Sequence, residues 1–226
     1  MKVSAIIPAY NEEERIGMTI KSLHNISEID QVIVVDDGSN DQTGKIAQGL
    51  KAQVIRLNKN RGKAFALLKG YEWANGDILL FVDGDLGQCA VELRHLIEPV
   101  RNGEADITIA KFPETEKKAG FGFAKGLASW GVERITGVRI SCVLSGQRAV
   151  LRDKLQESFL MYKGFGVETG MTIDLILSGC RFKEVPLALS HRESGRDIKG
   201  FIHRYKQFLD ILSVVYQKGA FRWQRF

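Results

Sequence analysis

The sequence predicts an α/β domain with a mostly parallel central sheet flanked by helices, and three observations carry that expectation. Short apolar runs of strand length (Lys2–Ala9, Gln31–Val35, Gln53–Leu57, Ile78–Val82 and Asp106–Ala110) alternate with single helical segments. These runs are rich in Val, Ile and Leu, as strands buried on both faces are. Several of them also end in polar clusters: Pro8 to Asn11, Asp36-Asp37, and Asp83 to Asp85. Strands joined through single helices need right-handed crossovers and pair in parallel. Ligands of such sheets bind at the carboxyl ends of the strands, so the three clusters define one composite site.

The elements follow in order. Lys2–Ala9 is a strand whose end is marked by Pro8, which cannot donate to a ladder. Glu13–His24 reads as an amphipathic helix. After the buried strand Gln31–Val35, a helix over Gln42–Leu50 is introduced by Ser39 or Asp41 as its cap. Gln53–Leu57 is a short strand. Lys63–Ala74 is a helix with Phe65, Leu68 and Trp73 near its inner face, closed by Asn75-Gly76. Ile78–Val82 is the next strand, and a helix around Val91–Val100 stops at Asn102-Gly103. The second half is less regular. Phe112–Gly122 reads as a loop, Phe123–Ile135 as a helix and Ser141–Val150 as a strand and turn. Val167–Leu177 is a helix, Arg181–Leu189 a strand and Ile198–Gln217 a closing helix. No repeat, low-complexity tract or linker interrupts residues 1–226, so a single domain is expected.

Composition narrows the partners. The chain is 44% hydrophobic and 26% charged, ordinary values for a globular protein, with a formal net charge of +5. That charge favours anionic partners such as nucleotides, phosphorylated acceptors or an acidic membrane surface. Lys and Arg are scattered rather than striped along one element, so nucleic-acid binding is not expected. Cys89, Cys142 and Cys180 are far apart and read as free thiols in a reducing compartment. No apolar run reaches the length of a membrane span. The expectation is a cytoplasmic protein that at most touches the inner membrane surface.

The chemistry concentrates at strand ends. In Asp83-Gly84-Asp85, residues two apart point to the same side, and Gly84 can take whatever bend brings the carboxylates together. Two hard oxygen ligands there suit Mg²⁺ or Mn²⁺ held between carboxylates and a diphosphate. The same tripeptide is also ordinary turn chemistry. Asp36-Asp37-Gly38-Ser39 offers acceptors for ribose hydroxyls or a base N–H, with helix capping as the alternative for Ser39. Asn60-Arg61-Gly62-Lys63 precedes a helix and makes an anion-friendly corner. Neither the Walker spacing nor Gly-x-Gly-x-x-Gly occurs, which counts against a dinucleotide-binding dehydrogenase.

Taken in order, the segments PAYNEEE, VVDDGSNDQT, NRGKAFAL and GDILLFVDGDL resemble the nucleotide-sugar-binding half of family-two-type glycosyltransferases with the GT-A fold. The resemblance spans roughly residues 3 to 90. It implies that residues 1–110 bind a nucleotide sugar and residues 111–226 form an acceptor half. By it, Pro8, Asn11, Glu12 and Asp37 would hold base and ribose, with a uridine diphosphate donor favoured. Lys63 would approach the pyrophosphate, while Asp83, Gly84 and Asp85 would bring the metal to the diphosphate. The later stretches, Leu144 to Ala149, Gly164 to Gly170, and Val185 to Leu187 with His191-Arg192, resemble the glucosyl-3-phosphoglycerate synthase group. That second resemblance implies Glu168 beside the transferred sugar and His191 as the third metal ligand, and it tilts the stereochemistry toward retention.

Each assignment has a plainer reading. Glu168 can be a first-turn acid stabilised by its helix, and His191 a surface histidine. Arg148 can pair with a phosphate or brace a carboxylate. In the closing helix, Ile198, Phe201, Ile202, Tyr205, Phe208, Leu209, Leu212 and Val215 recur at helical spacing between cations. Packing on the sheet or a dimer contact is favoured for it over lying on an anionic bilayer. The expected activity is metal-dependent transfer from a nucleoside diphosphate sugar to a hydroxyl or phosphate. The alternatives are a polyprenyl-phosphate acceptor at the membrane surface, or a non-catalytic sugar-nucleotide binder.

Overall fold

The computed structural model describes residues 1–112, 122–156, 162, 164–189 and 198–223. Seven strands form one sheet: β1 (Val3–Ala9), β2 (Gln31–Asp36), β3 (Gln53–Arg56), β4 (Ile78–Phe81), β5 (Ile107–Lys111), β6 (Arg148–Leu151) and β7 (Phe182–Pro186). Their order is β3-β2-β1-β4-β6-β5-β7. All neighbours are parallel except β6, which runs antiparallel to both β4 and β5. The helices are α1 (Ile16–His24), α2 (Thr43–Gly49), α3 (Lys63–Trp73), α4 (Arg94–Arg101), α5 (Gly122–Thr136), α6 (Gly166–Leu177) and α7 (Ile198–Trp223). The expected α/β class and mostly parallel sheet are therefore present.

Period-two alternation sends each strand's apolar residues to two cores. Ala5, Ile7, Val34, Leu80 and Val82 join one cluster with Ile16 and Ile20 of α1 and Leu96 and Ile97 of α4. Ile6, Ile33, Val35, Leu79 and Phe81 join the other, with residues of α3, α5, α6 and α7. Both faces are covered, which is why these strands read as continuous apolar runs.

Several local expectations shift. The inner face of α3 is Ala66, Leu67 and Gly70, whereas Trp73 is 58% exposed. The reason is proximity: a Cβ on Gly70 would lie 2.3 Å from Ile6 Cγ2, so α3 approaches β1 too closely for a large inner residue. In the expected Ser141–Val150 strand, only Arg148 onward pairs. The preceding residues are drawn off the ladder by Glu184, whose carboxylate accepts the N–H groups of Ser141 at 2.6 Å and Cys142 at 3.1 Å. The helix expected over Val91–Val100 is split into a 3₁₀ segment, Gly87–Leu93, followed by α4.

Pro8 sits inside β1 without breaking it. Ile6 turns its carbonyl toward β4, accepting from Val82 N, and is the last β1 residue paired with that strand. Pro8, two residues on, faces the same way, beyond that ladder, so its missing N–H costs no sheet bond.

Candidate active site

The carboxyl ends of β1, β2 and β4 bring their loops side by side, and β6 adds a fourth contributor. Because β6 runs backwards, its first residues rather than its last lie at this edge, with Arg148 opposite Phe81. Gln147, just before the strand, is fully buried beside Asp83. Its Nε2 donates to Asp83 Oδ2 at 2.6 Å, and its Oε1 accepts from Asp83 N at 3.0 Å. The side chain of Gln147 thus continues the sheet pairing where the main-chain ladder stops, and it orients the carboxylate in doing so. The sequence gives Gln147 no task. A glutamine at a strand end has no distinguishing pattern.

Lys63, the first residue of α3, reaches the same carboxylate. Its Nζ lies 2.7 Å from Asp83 Oδ1 and 3.0 Å from Glu168 Oε1. Glu168 is 5% exposed, in the first turn of α6. The fold thus closes Glu168, 105 positions after Lys63 and 85 after Asp83, into one ion-paired cluster with them. Burial disfavours the ammonium charge, but the Asp83 and Glu168 carboxylates outweigh it and hold the Lys63 pKa above its usual value. Gly146 forms the floor. A Cβ there would fall 2.6 Å from Lys63 Nζ and 2.8 Å from Asp83 Oδ2, so a side chain would fill the cradle.

Asp85 is half-buried on the same edge, and its carbonyl accepts from Arg15 Nη1 at 3.3 Å. The carbonyl of Gly84 accepts from Thr19 Oγ1 at 2.8 Å, which pins the turn to α1. Gly84 itself departs from expectation. It has no positive φ, and a Cβ there would make ordinary contact with Ile16 at 3.5 Å, so the turn does not depend on glycine's freedom.

The β1 and β2 loops are laced together. Asn11 adopts φ 56°, a left-handed conformation that asparagine tolerates. Its N–H donates to Ser39 Oγ at 3.0 Å, and its Oδ1 accepts from Asn40 N at 2.9 Å. Glu12 N donates to Thr43 Oγ1 at 2.8 Å. Ser39 therefore serves Asn11 and is not the cap of α2. The N-cap is Gln42, without a side-chain cap bond, and Asp41 just ahead of it accepts from Thr43 N at 2.9 Å. Asp37 is 3% exposed, and its two oxygens accept the N–H groups of Arg61 and Gly62, each at 2.7 Å. In this arrangement Asp37 anchors the turn that delivers Lys63, a task that its place in sequence did not reveal.

Arg148 requires a correction. It is 1% exposed, and its guanidinium donates to the carbonyls of Val143, Ser145 and Glu168 and to Thr172 Oγ1. With its donors spent on these acceptors, it braces the 143–146 loop against α6 and does not face a nucleotide. Burial lowers its pKa, opposed by Glu168. His191 lies outside the described residues.

The donor set fits a hard divalent ion: Mg²⁺ is usually bound through one or two carboxylates plus substrate phosphates, and Asp83 and Asp85 offer two carboxylates just past the end of β4. Among the described residues no group of three His, Cys, Asp or Glu side chains converges.

Comparison with known proteins agrees with this architecture. A family model described as glycosyl transferase family 2 matches residues 4–152. The undecaprenyl-phosphate mannosyltransferase of Micrococcus luteus is 29% identical over 210 residues, covering 86% of each chain. The dolichol-phosphate mannosyltransferase of Pyrococcus furiosus is 31% identical over 216 residues, covering 88% of this chain and 60% of that protein. Among solved structures, glucosyl-3-phosphoglycerate synthase from Mycobacterium tuberculosis in complex with Mn²⁺, UDP-glucose and phosphoglyceric acid is similar with a TM-score of 0.74. It is 27% identical, and the match covers 95% of this chain and 79% of that one. The matched family segment holds the β1, β2 and β4 loops with Lys63, Asp83 and Gln147, and the likeness in fold takes in 95% of the chain. On these grounds the chain belongs to glycosyl transferase family 2 and is a glycosyltransferase of the GT-A fold.

Proposed function

We propose that this glycosyltransferase moves a sugar from a nucleoside diphosphate sugar, with uridine diphosphate as the favoured carrier, to a polyprenyl phosphate at a membrane surface. The observation that carries the reading is the Lys63–Asp83–Glu168 cluster at the carboxyl edge of the sheet. Asp83 and Asp85 would hold Mg²⁺ or Mn²⁺, which when bound offsets negative charge on the departing diphosphate. Lys63 supplies a second cation for that charge, at the N-terminus of α3. Asn11 and Glu12, in the loop after β1, would contact base and ribose. Glu168 faces the same point from α6 and orients the acceptor, taking its proton if the anomeric centre inverts. A phosphate acceptor needs no such base, being an anion already.

The acceptor class is supported by the named activities of the mannosyltransferases above. It is also supported by α7, which exposes Tyr205, Leu209, Leu212 and Tyr216 along one stripe. No described helix is long and apolar enough to cross a membrane. A second reading, a small phosphorylated acceptor, is favoured by the phosphoglycerate complex of the synthase.

The test is transfer from radiolabelled UDP-glucose or GDP-mannose, with Mn²⁺, to undecaprenyl phosphate in vesicles and, separately, to 3-phosphoglycerate. Label entering the lipid fraction supports the first reading. Label appearing only in phosphoglycerate replaces it with the second. Folded protein that transfers to neither, with either donor, rejects both.

A further inference from the structure

The proposed transfer gives Lys63 a task once the diphosphate is bound, and the pairing of Lys63 in the free enzyme has a consequence of its own. A lysine meant only for a diphosphate would extend toward the open edge. Here its ammonium is held between two carboxylates, 2.7 Å from Asp83 and 3.0 Å from Glu168. The Glu168 side chain is 7% exposed and those of Lys63 and Asp83 29% and 28%, so the pairing is buried on the Glu168 side and reaches water on the Asp83 side. An unpaired Glu168 carboxylate would be costly, and a cation must accompany it. The backbone of Gly146 closes one side of the ammonium, at a distance that leaves no space even for a Cβ.

We propose that Lys63 is the resident counter-cation of the free enzyme, holding the Asp83 carboxylate until metal and nucleoside diphosphate arrive together. This rests on the reading of Asp83 and Asp85 as the metal pair. A divalent ion bound to Asp83 while the ammonium stays at 2.7 Å would place two cations against one carboxylate. The ion alone therefore binds poorly. The nucleotide changes the balance, because its diphosphate carries the negative charge that draws Lys63 away from Asp83 and joins the ion's coordination. Metal and nucleotide are then coupled by the exchange of one lysine between two anions, and by linkage each tightens the other by the same factor. Lys63 has the means to move. Its side chain is 29% exposed, so the ammonium can swing on its four-carbon stem while the backbone turn stays anchored by Asp37.

The experiment measures Mn²⁺ binding by the paramagnetic resonance of the free ion, with and without UDP or GDP, in wild type, Lys63→Met and Lys63→Arg. Wild type is expected to bind Mn²⁺ on the order of tenfold more tightly with nucleotide than without. Lys63→Met should bind the ion without nucleotide about tenfold more tightly than wild type, and lose most of the coupling. Lys63→Arg, which keeps the cation, should retain it. A lysine with a merely structural task would weaken metal binding on removal rather than strengthen it. Should Lys63→Met not fold, Lys63→Gln gives the same comparison. Nucleotide-free Mn²⁺ binding in the neutral variants equal to or weaker than wild type overturns the proposal while leaving the metal site standing. Wild type that binds no Mn²⁺ with either nucleotide overturns the metal reading itself, and this proposal with it.

Discussion

The carboxylate of Asp83 accepts from the ammonium of Lys63 and from Gln147 Nε2, while the main-chain N–H of Asp83 donates to Gln147 Oε1. That arrangement leads to distinct expectations for neighbouring residues. Asp85→Ala should abolish metal-dependent donor binding in calorimetry while the far-ultraviolet dichroism stays native; unchanged binding would remove Asp85 from the site. Gln147→Ala should leave the ligand carboxylates in place but loosen Asp83, raising the metal concentration needed for half-maximal transfer about tenfold or more with a smaller change in kcat. Glu168→Gln should slow transfer by about a hundredfold if it moves a proton, and much less if it only positions the acceptor. Cys142 offers a pH expectation. Burial and its contact with Glu184 push its thiol up to about 12, so it should stay protonated and resist thiol reagents at pH 8 until the chain unfolds. The sequence placed Asp83, Asp85, Lys63 and Glu168 correctly on strand ends and helix starts. It could not reveal that Lys63 and Glu168 meet, because that contact spans residues whose only link is the sheet between them.

At the scale of elements, close approach explains what periodicity could not. Gly70 lets α3 lie against β1, and Gly70→Ala would set a methyl 2.3 Å from Ile6 Cγ2. Overpacking of this kind costs about 1–3 kcal/mol, and since α3 begins with Lys63, urea unfolding and donor affinity should both worsen. The start of α6 is held from outside. Asp210 of α7 accepts from Phe165 N at 3.1 Å, just ahead of Glu168. Asp210→Ala should therefore cost about 1 kcal/mol, as the loss of a helix cap does, and, with Glu168 in the acceptor role proposed above, should lower the transfer rate more than donor binding. A denaturation curve and steady-state kinetics on the one variant check both parts. The strand and helix boundaries were largely legible because burial on both faces leaves long apolar runs. The 141–147 segment was not, because a carboxylate from β7 decides its path.

Over the whole molecule, α7 is the element whose face was hardest to assign. Its buried side is Gln207, Ile211, Val214 and Val215, set against α5 where Gly131 admits Val215. Much of the apolar stripe read from the sequence, Tyr205, Leu209 and Leu212, faces outward instead, joined by Tyr216. Replacing Leu209 and Leu212 together by Ser should leave the melting temperature within about 2 °C of wild type, since exposed substitutions rarely cost stability. It should reduce cosedimentation with anionic vesicles and transfer to a lipid-linked acceptor, while transfer to a soluble acceptor persists. Equal cosedimentation would assign the stripe another task. From its residues alone the chain determined the α/β class, the order of its strands along the chain and the strand ends at which acids and lysine gather, because hydrophobic period and turn chemistry are local properties. Only the tertiary structure decided that β6 runs backwards to bring Gln147 against Asp83, that Arg148 turns inward to brace a loop, and which face of α7 meets water. Those outcomes depend on which distant surfaces pack together, and no local pattern encodes that.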